Sequence, residues 1–500
     1  MLIISFGAGI LCCLALEPYN LWPFMLIGIA SFYYFLSQIE STKDAFLNGC
    51  SFGLGYFLLG LYWIGNAVFI HWDQYWWLYP FAVLGLPILL AVFWGIASWL
   101  SIKFSRRKSF LRSIYFILSL SLIEWVRGWV FTGFPWNLPG YAWGSVLEIV
   151  QIVSFGGIYF LTLLTITAGV FIGLAITKKR YLFLLLPLLM FSSLYWWGSE
   201  RLKNNPIETD NKSGFLIVQP SIPQTQKWDP SFIPDNIRAL INLSSYDVET
   251  IGSDLPDNIF ILWPETALSQ PYFEHSAIKK EVVSMLKNWP VDTYLMTGII
   301  RNEKEGSSNK YYNSIYKISS QGKIISTYDK KHLVPFGEYI PFIPPEILAP
   351  MNIVNFEHGK NQASFNTKGL NFMPLICYEA IFPELLHTQK QHDAIIVTTN
   401  DAWYNDAPGP YQHHRMAMFR AIEQGTPLFR AANTGISGAF DSFGRKIMKD
   451  IPYNKRAAIF VNTPKSLNKK TFFSKNGNNI FFSTIGFLLF LSMVLKKKLY

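Results

Sequence analysis

Five hundred residues exceed the size of one compact domain, for which about 100–200 residues are usual. Hydrophobic residues make up 50% of the chain and charged residues 15%, against about 25% charged residues in ordinary soluble domains. This composition excludes a disordered chain, a coiled coil and a purely soluble enzyme. The formal net charge of +10 does not indicate nucleic-acid binding, because the basic residues lie at the ends of apolar segments. The composition therefore predicts a membrane protein.

Eight apolar segments approach the roughly 20 helical residues that are needed to cross about 30 Å of hydrocarbon. The predicted spans are 2–17, 21–37, 49–71, 79–102, 110–126, 156–177, 181–197 and 478–495. The first segment is interpreted as a span and not as a cleaved signal peptide, because Met1–Ser5 contain no lysine or arginine. The chain is therefore expected to hold a helical membrane domain over 1–200 and a C-terminal transmembrane helix over 478–495.

Basic residues between the spans indicate which loops face the cytoplasm. One set of alternate loops, with the C-terminal tail, contains Lys43; Lys103, Arg106, Arg107, Lys108 and Arg112; Lys178, Lys179 and Arg180; and Lys496, Lys497 and Lys498. The opposite loops, around 18–20, 72–78 and 128–155, contain no lysine or arginine. Both termini are therefore predicted to be cytoplasmic, and the stretch 198–477 is predicted to lie on the outer side.

Aromatic residues concentrate in the predicted outer loops, where rings with one polar edge suit the membrane interface. We expect interfacial anchors at Trp72, Tyr75, Trp76, Trp77, Trp125, Trp129, Trp136 and Trp143.

The outer stretch alternates short apolar runs with polar segments, which is typical of an α/β domain. The expected domain covers 207–467. Helices are predicted at Ala277–Lys287 and His414–Gln424. The predicted strands are Phe215–Gln219, Ile259–Trp263, Tyr294–Ile300, Tyr312–Ser319, Phe372–Tyr378, Ala394–Thr398, Leu428–Ala432 and Ala457–Val461.

Cys377 is the only cysteine of the predicted outer domain, since Cys12, Cys13 and Cys50 lie in or at membrane spans. It directly follows the apolar run Met373–Ile376, so its thiol is placed where a strand ends. A nucleophile at such a position can be held rigidly while the following backbone N–H groups point toward an oxyanion. A buried core cysteine is the alternative interpretation.

A thiol nucleophile needs a base and a group that stabilises the oxyanion. Two segments could supply these groups. The run Ile261–Ala267 is a strand that ends in a proline and Glu265, and the run Tyr328–Glu338 contains Lys330, Lys331 and His332.

This order of groups resembles the nitrilase superfamily, with a glutamate after an apolar strand, then a lysine, then a cysteine followed by Tyr-Glu. Together with the membrane spans, it resembles one branch, the bacterial apolipoprotein N-acyltransferases, through nearly the whole chain. The supporting segments are Phe131–Trp136, Lys227–Pro230, Trp263–Thr266, His332–Tyr339, Asn400–Trp403 and Arg430–Gly435. The resemblance implies a polytopic helical membrane domain plus an extracytoplasmic nitrilase-like αββα sandwich.

The resemblance implies that Cys377 is the nucleophile, Glu265 the general base and Lys330 the cation that stabilises the oxyanion. The Tyr-x-Lys spacing favours Lys330 over the adjacent Lys331.

Four further residues receive supporting roles from the resemblance. Glu338 would orient Lys330 or the base, and Tyr378 and Glu379 would flank the nucleophile, with the backbone N–H of Tyr378 as a candidate oxyanion donor. Trp228 would line the acyl or substrate channel. Plain core packing remains the alternative for Trp228, and an ordinary loop carboxylate remains the alternative for Glu338.

The implied reaction moves an acyl chain from a membrane phospholipid, through a Cys377 thioester, to the N-terminal amine of a diacylglyceryl-cysteine apolipoprotein. It needs no cofactor and no metal. The implied protein is a monomer in the bacterial inner membrane, with its catalytic domain in the periplasm and no nucleic-acid partner. Two alternatives stay open: a membrane-tethered amidase that uses water as acceptor, and an inert protein that binds lipid or lipoprotein.

Overall fold

The computed structural model describes residues 1–105, 110–247, 251, 254–305, 308–341, 355–360, 364–387 and 390–498. Of the predicted cytoplasmic basic residues, Arg106, Arg107 and Lys108 lie outside the described residues. The chain divides into two compact units. The first comprises Met1–Pro206, Ala407–Gln424 and Thr471–Tyr500, and the second comprises Ile207–Asp406 and Gly425–Lys470.

The first unit is helical. Its helices are Leu2–Cys13, Pro23–Leu36, Thr42–Leu61, Trp72–Tyr75, Tyr79–Phe104, Phe110–Arg127, Leu147–Val150, Val153–Lys178, Leu185–Lys203, Pro408–Gln424, Phe472–Asn476 and Asn479–Lys498. The helical segments in the described part of the chain that are long and apolar enough to cross a membrane are Thr42–Phe104, Val153–Lys178, Tyr181–Lys203 and Asn479–Lys497. The apolar helices Leu2–Cys13 and Pro23–Leu36 are shorter, with 12 and 14 residues. These segments confirm a membrane protein, and the count of eight spans stays a prediction.

Small residues allow close helix packing in this unit, as is usual between membrane helices. A Cβ on Gly49 would lie 2.9 Å from the Cα of Gly95. Nearby, the ring of Phe52 stacks on Trp94 with centroids 5.0 Å apart, and the Trp94 indole donates to Glu124 at 2.8 Å. Glu124 in turn pairs with Arg127 at 2.5 Å, so both buried charges are neutralised by a partner.

Two predicted interfacial anchors are buried instead. The indole of Trp136 donates to the side-chain oxygen of Gln412 at 2.8 Å, and that of Trp143 donates to Thr165 at 3.0 Å. Because each indole N–H finds a partner inside the unit, burial costs no hydrogen bond. The anchor prediction is therefore wrong for these two, whereas Trp76 and Trp77 are more than half exposed.

The second unit is an α/β fold, and its described residues form twelve strands in two sheets. The strands are β1 Thr209–Gln219, β2 Asn258–Leu262, β3 Leu268–Ser269, β4 Asp292–Glu305, β5 Ser308–Ser319, β6 Ile324–Asp329, β7 Phe365–Thr367, β8 Leu370–Ile376, β9 Ala394–Thr399, β10 Leu428–Ala432, β11 Gly438–Phe440 and β12 Ala457–Pro464. The first sheet has the order β12-β1-β2-β4-β5-β6, with β3 beside β4, and the second has the order β11-β10-β9-β8-β7. Parallel pairs β1–β2–β4 and β8–β9–β10 form the two sheet centres.

Alternating apolar residues explain why the two sheets face each other. In β1, Phe215 and Ile217 point into the core between the sheets, while Leu216 and Val218 point to the opposite face of the first sheet. The ring of Phe215 stacks on Phe429 of the second sheet, with centroids 4.0 Å apart. The outer face of the first sheet packs against apolar residues of the helices Ile233–Ser244 and Ser276–Lys287. Strands of this kind, buried on both faces, read as continuous apolar runs.

The predicted strands and both predicted helices occur, with shifts at their ends. The one substantive correction is the strand Phe372–Tyr378, which ends at Ile376, because Cys377 adopts a left-handed φ of +51° that no strand accommodates. The predicted helix His414–Gln424 is part of Pro408–Gln424, which follows β9 in sequence and belongs to the first compact unit. The α/β part of the fold prediction is confirmed, and the periplasmic placement stays a prediction.

Candidate active site

Cys377 occupies the sharp turn that follows β8. The chain passes directly from the strand into a 3₁₀ turn, Cys377–Ile381, and Cys377 is the residue with the positive φ. A left-handed conformation at a residue other than glycine costs about 1–3 kcal/mol and persists only where its surroundings enforce it. The side chain of Thr399, the last residue of β9, hydrogen-bonds the thiol. The parallel neighbours β8 and β9 thus hold the sulfur at the carboxyl ends of their strands.

Glu265 lies in the turn that follows β2, and it is buried. The next residue, Thr266, has a φ of +48°, so the chain bends sharply here. The turn packs on β4 through Gly298, whose N–H donates to the Pro264 carbonyl at 3.2 Å. A Cβ on Gly298 would lie 2.6 Å from the Cα of Glu265, so only glycine allows this approach.

Lys330 directly follows β6 and is 1% exposed. Its Nζ lies 3.4 Å from Glu265 Oε1 and 2.8 Å from Glu338 Oε2. The amide of Asn313 on β5 donates to Oε1 of both Glu265 and Glu338 at 2.7 Å. Glu338 also accepts the backbone N–H of Val334 at 2.8 Å. Two carboxylates therefore share one ammonium and one amide, so the lysine is tightly oriented.

The charges of this cluster act on one another. Burial lowers the pKa of Lys330, but the carboxylates of Glu338 and Glu265 outweigh this effect and raise it above its usual range. Burial raises the pKa of the Cys377 thiol, Glu265 raises it further, and Lys330 lowers it. Lys330 is thus a permanent cation, and Cys377 rests as a thiol that needs a base to become a nucleophile.

Glu379 ties the Cys377 turn to the segment that carries Lys330. Its Oε2 accepts the N–H of Ile376 at 2.8 Å. Its Oε1 accepts the Tyr328 hydroxyl at 2.8 Å and the Lys331 N–H at 2.7 Å. Burial raises the pKa of this carboxyl, and these donors oppose that effect. A single buried carboxylate therefore joins two strand ends that carry two of the predicted catalytic residues.

Replacing Glu379 with glutamine is expected to destabilise the protein by about 1–3 kcal/mol, because the new amide N–H₂ would face the N–H of Ile376 and leave one donor unpaired. Thermal unfolding in detergent would measure the loss. Exchange of the exposed Glu274, E274Q, is the matched control and should leave the unfolding temperature unchanged. An E379Q unfolding curve that overlays that of the wild type would contradict the role of Glu379 in joining the Cys377 turn to the Lys330 segment.

Two other predicted residues lie at the edge of this cluster or face away from it. Trp228 is 38% exposed, with its ring 5.8 Å from the ammonium of Lys227. The Tyr378 ring packs against His332 and Phe382. Of the predicted site residues, the structure therefore brings Glu265, Lys330, Glu338, Cys377 and Glu379 into one connected cluster.

Sequence reasoning missed two members of the cluster. Asn313 lies inside the predicted strand Tyr312–Ser319, where a single amide carries no distinctive signal. Lys227 belongs to the segment Lys227–Pro230, yet only its neighbour Trp228 was assigned a role. Its ammonium donates to the Glu265 carbonyl at 3.0 Å and to the Thr266 hydroxyl at 2.7 Å. A lysine next to a site tryptophan was the signal available for it.

In the two-sheet α/β unit, a glutamate, a lysine and a cysteine each follow the end of a strand, β2, β6 and β8, and this unit is a carbon–nitrogen hydrolase domain. The family model described as carbon-nitrogen hydrolase matches residues 257–454. A second model, described as the apolipoprotein N-acyltransferase N-terminal domain, matches residues 8–171.

The full-length relatives are more specific. The chain is 37% identical over 503 residues to the apolipoprotein N-acyltransferase of Rickettsia bellii, covering 98% of this chain and 97% of the relative. It is 40% identical over 425 residues to the apolipoprotein N-acyltransferase of Brucella melitensis, and this alignment covers 79% of this chain and 76% of the relative. Among solved structures, Saccharomyces cerevisiae Nit3 of the nitrilase superfamily aligns with 51% of this chain and 91% of its own, at 18% identity and a TM-score of 0.39. This chain belongs to the apolipoprotein N-acyltransferase family, which confirms the resemblance read from the sequence.

Proposed function

We propose that this protein transfers an acyl chain from a membrane phospholipid to the N-terminal amine of a diacylglyceryl-cysteine apolipoprotein, the last step of lipoprotein maturation. The observation that carries the proposal is the buried contact of 3.4 Å between Lys330 and Glu265, with the Cys377 thiol within electrostatic reach of both. Family membership supports the acyl acceptor, and the apolar helices support a lipid donor.

In the first step, Glu265 takes the proton of the Cys377 thiol, and the sulfur attacks the ester carbonyl of the phospholipid. A C–S bond forms and the ester C–O bond breaks. The proton passes from Glu265 to the departing lysophospholipid alkoxide. Lys330 stabilises the negative charge that develops on the carbonyl oxygen, together with the backbone N–H of Tyr378.

In the second step, the lipoprotein amine attacks the thioester. Glu265 removes the proton of the attacking amine, an amide C–N bond forms, and the C–S bond breaks. The proton then returns to sulfur, which restores the Cys377 thiol. Glu338 keeps Lys330 oriented through both steps, which is consistent with its contact of 2.8 Å. No cofactor is required, because the phospholipid ester supplies the acyl group.

Both substrates carry acyl chains that leave the bilayer at a cost of about 0.8 kcal/mol per exposed methylene. This cost supports a reaction at the membrane surface. The basic residues of the predicted cytoplasmic loops support an outer, periplasmic position of the catalytic unit at the bacterial inner membrane, and a monomer is part of the same proposal. The half-exposed Trp228 beside Lys227 would line the substrate channel.

Intact-protein mass spectrometry of the purified full chain tests this function. Incubation with phosphatidylethanolamine alone should add one acyl mass to Cys377, and hydroxylamine should remove it. Adding a diacylated lipopeptide should discharge the adduct and yield the triacylated peptide.

The alternatives predict different outcomes. An amidase that uses water would release fatty acid at the same rate with and without the lipopeptide amine. An inert binding protein would form no adduct with any donor lipid. Either result would overturn the proposal.

A further inference from the structure

Lys227 is a second lysine buried beside Glu265, and it contacts the backbone of Glu265 where Lys330 contacts the carboxylate. It is 6% exposed, and its ammonium donates to the backbone carbonyl of Glu265 at 3.0 Å. It also donates to the side chain of Thr266, the residue whose left-handed φ of +48° forms the turn. Lys330 holds the carboxylate end of Glu265, whereas Lys227 holds its backbone end. Two ammonium groups therefore bind Glu265, one at its carboxylate and one at its backbone carbonyl.

Both acceptors of Lys227 are neutral oxygens, so its positive charge stays available to the site. The carboxylates of Glu265 and Glu338 face the single cation Lys330, which leaves that trio with a formal charge of −1. Lys227 brings the total to zero. Without it, releasing the Cys377 proton to solvent, as alkylation requires, would add a second unbalanced negative charge in a buried region, where such charges are costly.

We propose that Lys227 is a positioning residue for the reaction, which fixes the turn of the general base Glu265 and balances the charge of the Cys377 thiolate. This inference rests on the proposed function for its acyl-transfer readout, but its effect on the thiol is measurable without any lipid. The proposed role belongs to Lys227 and not to its neighbour Trp228, because the ring of Trp228 lies largely outside the cluster.

The electrostatics agree with this placement. Burial lowers the pKa of Lys227 to about 8, while the charges of Glu265 and Cys377 raise it. The thiol is further influenced by Lys330 and Asp401, the latter of which is paired with Arg430 at 2.7 Å. Above about pH 8, Lys227 loses its proton, and its support for the thiolate is withdrawn.

The experiment compares wild type, Lys227→Met and Lys227→Gln, each as the full chain in detergent. The rate of Cys377 alkylation by iodoacetamide is followed from pH 6 to pH 10 by peptide mass spectrometry. Loss of the cation should lower the alkylation rate about ten-fold in both variants below about pH 8, and the difference from wild type should shrink above that pH, where Lys227 is itself neutral. Thioester formation with phosphatidylethanolamine should fall about 100-fold, while Lys227→Arg, which keeps the charge, should retain most of the rate.

Lys317 provides a matched control. It is another fully buried lysine of the same unit that binds neutral oxygens, the carbonyl of Asn366 and the hydroxyl of Thr367. Burial lowers its pKa to about 8 as well, with no contribution from Glu265 or Cys377. Lys317→Met therefore removes a comparable buried charge away from the thiol, and its alkylation profile should match the wild type.

Three results would overturn the inference. They are a wild-type alkylation profile in Lys227→Gln, an equal fall in the alkylation rate in Lys317→Met, and full thioester formation in folded Lys227→Met. If wild type forms no thioester, the proposed function fails, and the alkylation profiles alone still decide the role of Lys227.

Discussion

Replacing Cys377 with alanine is expected to lower acyl transfer by about 10⁴-fold or more, because it removes the atom that would carry the acyl group. The turn itself should survive, since the ties made by Glu379 run to the backbone of Ile376 and Lys331, not to the sulfur. Rates of lipopeptide acylation in proteoliposomes, with unfolding temperatures measured in parallel, would establish both points.

Cys377→Ser should be almost as inactive, because a serine hydroxyl is a far weaker acid than a thiol and Glu265 cannot ionise it. The matched control is Cys50→Ala, which removes another partly exposed thiol of the chain. It should react at the wild-type rate. Activity above about one per cent in Cys377→Ala would mean that another nucleophile carries the acyl group.

Replacing Lys330 with methionine is expected to reduce thioester formation about 10³-fold and to destabilise the protein by about 3–5 kcal/mol. The ammonium is 1% exposed and serves two carboxylates, so its loss leaves both Glu265 and Glu338 buried with only the Asn313 amide between them. The same change removes the cation that would face the oxyanion. Denaturant titration of the solubilised protein and single-turnover acylation would separate the two effects.

The neighbouring lysine offers the control for this change. The backbone N–H of Lys331 donates to Glu379, but the ammonium that meets Glu265 belongs to Lys330. Lys331→Met should therefore keep thioester formation within a few-fold of the wild type. A large loss in Lys331→Met with a small loss in Lys330→Met would reassign the cation.

Much of the second unit could be predicted because its strands are local patterns. The apolar runs around Phe215, Ile261 and Leu375 are long enough to identify buried strands. Glu265 follows the second of these runs, Cys377 follows the third, and Lys330 follows β6. The exact end of β8 could not be predicted, because it depends on the left-handed backbone at Cys377. That conformation is held by Glu379, whose carboxylate also binds Tyr328 and Lys331 on a distant segment of the chain.

Membrane segments were predicted less completely. Hydropathy identifies the long helices, but it does not reveal which aromatic residues turn inward. Trp136 and Trp143 became buried because Gln412 and Thr165 accept their indole protons. Gln412 lies 276 residues beyond Trp136, on a helix that follows β9, so no local pattern could pair them.

The amino-acid sequence by itself determined that this chain is membrane-bound, which runs form strands, and the chain order of Glu265, Lys330 and Cys377. Those properties depend on composition, periodicity and short motifs. Only the tertiary structure decided that Asn313 joins two carboxylates, that Glu379 links the nucleophile turn to the lysine segment, and that Lys227 grips the turn of the base. Each of these contacts joins distant residues, with Lys227–Glu265 38 positions apart, Glu265–Asn313 48 and Tyr328–Glu379 51. Such buried polar groups meet only where separate strand ends converge.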